Sequence, residues 1–228
     1  MTRFLLLLVL GSGIFFSCKN EKKGEASIDY TGFVEKMIVL SGLNDSTDQA
    51  DTLASLMIRV PARLDTFYQW QHYSDCKTCG ETKYRLADRR YDQYAENGFF
   101  WTVVPDSIYQ LNIWHKPYRE IPDSISLTQV MEEDSSVYYN RLPDIVSSLA
   151  DVDFFKREFR KIGDRNYVIT GFVANTGYLT QSKTIYFVAL THLRSRPLYF
   201  IAECSAKDTA GFINNMYKSL LSIRITEK

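Results

Sequence analysis

Two cysteines separated by two residues, Cys76-Lys77-Thr78-Cys79-Gly80, form the one local cluster in this sequence whose residue types and spacing could carry chemistry. Such a pair can hold half of a tetrahedral zinc site, and the following glycine lets backbone amides approach the sulfurs. The same spacing also serves a redox pair, which needs its first cysteine at a helix N-terminus. The flanking residues read as strands, so the pair sits at a hairpin tip, where a disulfide between Cys76 and Cys79 is the first reading for an exported chain. Zinc at Cys76 and Cys79, recruiting His72 or Cys204, a redox pair and free thiols stay open as alternatives. No cofactor is otherwise expected.

His72, His115 and His192 are the three histidines, and none has a histidine near it in sequence. Glu132-Glu133-Asp134 and Asp151-x-Asp153 lack the alternating oxygen ligands and glycine of a calcium loop. P-loop, dinucleotide and metalloprotease motifs are absent, and no catalytic residue is assigned. Tyr68, Trp70 and His72 alternate along one side of a strand, and Trp114 ends another. Tyr68, Trp70 and Trp114 thus form a candidate aromatic binding face, for which core packing is the blander account.

These residues need elements to position them. The chain has 228 residues, 27 basic against 27 acidic, with 14 Phe, 15 Tyr and 3 Trp. Balanced charge argues against a nucleic-acid partner, and the aromatic load excludes disorder for most of the chain. Phe33, Val34, Met37, Ile38 and Leu40 fit helical spacing from about Tyr30, and Ser46-Thr47-Asp48-Gln49 fits a capping box before a second helix with Leu53, Leu56 and Met57. Strands are expected from Ile58 to Leu64, interrupted by Pro61, and from Thr66 to Tyr73, Thr82 to Arg90, Phe99 to Val104 and Ile108 to Trp114. A helical stripe of Leu127, Val130, Met131, Val137 and Tyr138 follows. Four strands, Phe154 to Ile162, Asn166 to Ala174, Lys183 to Leu193 and Leu198 to Ser205, are linked by loops short enough for an antiparallel meander. Asp208 caps a closing helix with Phe212, Ile213, Met216 and Leu220 on its inner face. The expected fold class is α+β: an antiparallel sheet with a C-terminal four-strand meander, flanked by helices in the manner of an α/β/α sandwich.

At the start, Arg3 precedes an apolar run, Phe4 to Leu10, that resumes at Ile14-Phe15-Phe16 and is followed by Ser17-Cys18. That run is too short, at ~1.5 Å per residue, to cross a ~30 Å hydrocarbon layer as a helix. It has the form of a cleavable signal peptide. A small residue followed by cysteine after such a run resembles the lipobox of bacterial lipoproteins in a relaxed, Bacteroidota-like form. The resemblance implies diacylglycerol on the Cys18 sulfur and an acylated new N-terminus. Phe15 and Phe16 depart from the usual aliphatic and small residues. Residues 1–17 then form a signal peptide, 18–27 a polar lipidated tether, and 28–228 one domain. The segments Ile58-Arg59-Val60-Pro61 and Phe212 to Ile225, with the order of elements between them, resemble the Mog1/PsbP-like superfamily, whose members are binding or assembly accessories.

Together these readings lead to a lipid-anchored cell-envelope lipoprotein that acts as a non-enzymatic binding or assembly accessory. The expected location is the bacterial outer membrane, with its periplasmic or surface face open. The partners are the membrane, through the lipid, and an envelope protein, with no nucleic acid. The alternative is an envelope enzyme, a thiol oxidoreductase or a zinc-dependent one through Cys76 and Cys79. Removing Arg3 with the leader leaves the remaining chain near neutrality, so the lipid, not the domain's net charge, is expected to provide the attachment.

Overall fold

A computed structural model describes residues 27–43, 50–72, 81–90, 93–96, 99–102, 108–115, 129, 152–175, 183–193, 196–205, 209 and 211–228. Within them the elements are twelve strands and one helix. The first two strands are β1 (Phe33–Leu43) and β2 (Ala50–Pro61), which take the positions expected to be helical except for Ile58 to Pro61, the part expected to be extended. Ala54, Leu56, Ile58 and Val60 are buried, while Ser55, Met57 and Arg59 between them are half-buried. This period of two belongs to a strand, and β-branched Val34, Ile38, Val39, Ile58 and Val60 favour it. Ile38 and Leu40 face inward as Met37 and Val39 stay exposed. Pro61 closes β2 opposite Phe33, at a strand end where its missing N–H is tolerated.

The α+β sandwich flanked by helices is therefore corrected to a mostly β fold. The remaining strands are β3 (Thr66–His72), β4 (Glu81–Ala87), β5 (Gln93–Glu96), β6 (Phe99–Thr102), β7 (Tyr109–His115), β8 (Val152–Ile162), β9 (Arg165–Asn175), β10 (Lys183–Leu193), β11 (Arg196–Ser205) and β12 (Arg224–Glu227). A seven-stranded sheet has the order β3-β4-β7-β11-β10-β9-β8, a three-stranded sheet the order β1-β2-β12, and β5 pairs with β6. Every pairing is antiparallel. The meander of β8 to β11 stands where the loop lengths place it. The stripe from Leu127 to Tyr138 lies outside the described residues apart from Gln129.

The helix, α1 (Phe212–Leu221), starts after Gly211, whose φ of 72° is the left-handed conformation that glycine adopts without penalty. Gly211 stands at the cap position without a side chain to cap with, and Asp208, the residue expected to cap the helix, lies outside the described residues. Phe212, Met216 and Leu220 point into the core. The chain then turns at Ser222, whose hydroxyl accepts from the Arg59 backbone N–H at 2.8 Å, and continues as β12 beside β2.

One face of the seven-stranded sheet carries Leu111, Ile113, Phe187, Ala189, Leu198 and Phe200, packed with Ile38, Leu40, Leu56 and Ile58 and with α1. Tyr109 meets Phe212 edge-on at 5.4 Å, and the Tyr84 hydroxyl donates to the Val39 carbonyl, tying the two sheets together. The opposite face holds a second core of Val168, Phe172, Tyr186, Val188, Leu190 and Tyr199. Both faces of the central strands are covered, so burial along β10 and β11 is nearly continuous rather than alternating.

Candidate functional site

Strand register decides which side chains share a face, because directly paired residues project to the same side of a sheet. On the face of the second core, Tyr68 of β3 pairs with Arg85 of β4, Arg85 with Asn112 of β7, and Asn112 with Ile201 of β11. In the adjacent row Gln110 pairs with Glu203. Two rows of neighbouring strands thus bring a guanidinium, two amides and a carboxylate together amid apolar surroundings.

Asn112 is the hub. Its Oδ1 accepts from Arg85 Nε at 2.7 Å and its Nδ2 donates to Glu203 Oε1 at 3.0 Å. Gln110 Nε2 donates to the other carboxylate oxygen, Oε2, at 2.7 Å. Arg85 is only 7% exposed and Gln110 3%. Burial pushes the Glu203 carboxyl above its ordinary range, while the Arg85 charge and the two amide donors pull the other way. Burial lowers the Arg85 pKa, opposed by Glu203 and Tyr68. With each carboxylate oxygen accepting one N–H bond, Glu203 is tied to Gln110 and Asn112, and the network holds the three strands in fixed register.

The third row carries the aromatic side chains. Lys83 pairs with Trp114, and Trp114 with Tyr199; Lys83 Nζ lies 4.6 Å from the centre of the Trp114 ring, and Trp114 is 6.1 Å from Tyr199. Trp70 is placed opposite Lys83 by register. Of the proposed aromatic face, Tyr68 and Trp114 are thus brought to one side of the sheet, two strands apart. Cys18, Cys76 and Cys79 lie outside the described residues. Cys204 is a fully buried thiol in the first core. Among the described residues, no group of three or more His, Cys, Asp or Glu side chains is placed to hold a metal ion.

Arg85, Gln110, Asn112 and Glu203 carry no motif. Each stands between apolar neighbours, as in Tyr109-Gln110-Leu111-Asn112-Ile113, and such alternation reads as a solvated face. Only register reveals that four polar positions from three strands converge.

A second hydrogen-bonded carboxylate lies where β4 ends. Asp88, 2% exposed, accepts from Arg63 Nε at 2.8 Å and from Arg90 Nη2 at 2.6 Å. Burial would raise its pKa, but the hydrogen bonds from Arg90 and Arg63 outweigh it and hold the pKa at about 2. The Arg63 guanidinium also stacks 3.6 Å from the centre of the Tyr109 ring, locking the β2–β3 turn onto the sheet.

His115 is 1% exposed, and its pKa is lowered to about 4, chiefly by burial and further by Arg196, against the Leu193 backbone. The folded state refuses a proton that the unfolded chain accepts, so His115 leaves stability untouched above about pH 6.5 and removes it as pH falls from there to about 4. The loss is on the order of 3 kcal/mol across that window. Glu203 acts with the opposite sign, because a raised carboxyl pKa favours the folded state as pH falls through it. Urea unfolding at pH 7 and pH 5 is expected to show a clear loss in the native chain and a smaller one in His115→Leu.

No family model matches the chain, and no curated protein does. Among solved structures, the chain is similar to cyanobacterial PsbP (CyanoP) from Synechocystis sp. PCC 6803, with a TM-score of 0.46 and 11% identity over 88% of this chain and 96% of that one. It is also similar to PA94, a Pseudomonas aeruginosa protein of unknown function, with a TM-score of 0.39 and 8% identity over 58% of this chain and 94% of that one.

Proposed function

We propose that the chain is a lipid-anchored envelope lipoprotein of the outer membrane, whose β domain serves as a binding or assembly accessory. The observation that carries this reading is the sequence itself: one basic residue, an apolar run, then Ser17-Cys18 and a polar tether. The place where the chain enters the fold supports it. Ser27, Ile28 and Asp29 are exposed, and the Asp29 carbonyl accepts from Lys218 Nζ at 2.9 Å, so a tether at this point leaves the domain unobstructed. A binding role is supported by the row of Lys83, Trp114 and Tyr199 on one face of the sheet. No helix among the described residues is long and apolar enough to cross a membrane.

Cells fed an alkyne analogue of palmitate are expected to label the native chain and not Cys18→Ala, and the variant is expected to leave the membrane fraction with its fold intact. Label retained by Cys18→Ala, or its persistence in membranes washed with high salt, which strips electrostatic contacts, would refute the anchor. Crosslinking in cells followed by mass spectrometry then identifies the protein partner.

A further inference from the structure

Strand β8 is one edge of the seven-stranded sheet and is exposed along most of its length. Proteins commonly blunt such an edge with charge and a bulge, and β8 has both: Lys156, Arg157, Arg160 and Lys161, with a register shift between Phe154 and Lys156. Protection of the edge does not call for three phenylalanines. Phe154, Phe155 and Phe159 are 49%, 50% and 46% exposed.

The rings straddle the edge. Phe154 and Phe159 pair with Phe172 and Val168, residues of the second core. Phe155 lies over Gly171, where a Cβ would clash with the edge of its ring, on the side of Phe187 and the first core. Four basic residues against two acidic ones give this strand a charge of +2 within a chain of formal charge zero. Net neutrality therefore conceals a local cationic and aromatic rim. Rings of this kind enter the boundary between headgroups and acyl chains, cations meet lipid phosphates, and an open strand edge is solvated there by headgroups and water.

The helix α1 brings this rim next to the chain's point of entry. Tyr217 takes the β8 side: its hydroxyl donates to Glu158 at 2.8 Å and accepts from Arg160, with Lys156 Nζ 4.5 Å from the ring centre. Lys218, the next residue, takes the entry side through Asp29 and through the Tyr30 hydroxyl. The ten residues 18–27 can extend at most about 35 Å. A bilayer holding Cys18 is within reach of β8.

We infer that the β8 edge is a membrane-contact surface that rests on anionic phospholipid headgroups. The choice of bilayer rests on the anchored reading above; the contact itself is tested without the anchor. The full chain carrying Cys18→Ala is mixed with vesicles of phosphatidylcholine alone or of equal parts phosphatidylcholine and phosphatidylglycerol. Every variant shares the same leader, so differences between variants report β8. Sedimentation with the anionic vesicles, weakened by salt, is expected, and Phe155→Ser with Phe159→Ser should lower partitioning by at least about tenfold. Lys161→Gln should flatten the salt dependence, and it supplies the test by itself if the double variant fails to fold. Equal binding to both vesicle types, or binding indifferent to these substitutions, overturns the inference. So does a dimer in light scattering that the double phenylalanine variant disperses, which would assign the edge to a second copy. Palmitate labelling is independent of all these outcomes, so loss of the anchor and loss of the contact are separately visible.

Discussion

Met216→Asp is expected to cost about 4 kcal/mol or more and to leave little folded protein, since a carboxylate would be placed where the native side chain is 2% exposed. Met216 faces Ile58, Leu111, Phe187 and Phe200, so the new charge would meet apolar atoms from both sheets. Asn214, exposed on the outer side of the same helix, is the control, and Asn214→Asp should stay within roughly 0.5 kcal/mol. Lys218 is unsuited to that purpose, because it donates to Asp29 and holds the start of the fold. Urea unfolding of the three proteins measures the difference. Similar midpoints for both variants would show that α1 does not pack between the sheets.

Glu203→Ala is expected to cost about 3 to 5 kcal/mol, because Gln110 and Asn112 lose their shared acceptor and the Arg85 guanidinium loses its compensating charge. The guanidinium at position 85 cannot shed its charge, and at 7% exposure it has little water to turn to. Arg85→Met alone should cost a similar amount by leaving the Glu203 carboxylate without its compensating charge. The double variant Arg85→Met/Glu203→Gln should recover much of either loss, since no unpaired charge remains. A double-mutant cycle in urea, closed with the single variant Glu203→Gln, reads the coupling directly, and strictly additive effects of Arg85→Met and Glu203→Gln would show that Arg85 and Glu203 do not act as one unit.

Much of the β8 to β11 meander was legible because each strand is bounded by a short turn: Gly163-Asp164, for instance, separates β8 from β9, with Gly163 at φ 61°. The first strand and the start of the second were misread because Phe33, Val34, Met37, Ile38 and Leu40 satisfy a helical template, while the better signal was the alternation from Ala54 to Val60, of which only the part from Ile58 was read as extended. Strand β12 was hidden for another reason. Ile223 and Ile225 look like a continuation of α1, and only the pairing with β2 makes Arg224 to Glu227 a strand. The aromatic positions Tyr68, Trp70 and Trp114 could be named from sequence, but their polar neighbours could not. Arg85, Asn112 and Glu203 come from strands far apart in the chain, and their convergence depends on a register that no local pattern encodes.

The pairing of β2 with β12 also governs how the fold is reached. Arg59 and Ser222, which meet at 2.8 Å, are 163 residues apart in the chain. Contacts of such separation carry a large loop-closure cost before they return any stabilisation, so they slow folding and come late on the route. Until α1 and β12 dock, β2 has one open edge, and Leu56 and Ile58 lack part of their cover. The nascent domain therefore stays unfinished throughout most of its synthesis, because the strand that closes its second sheet is among the last residues to be made.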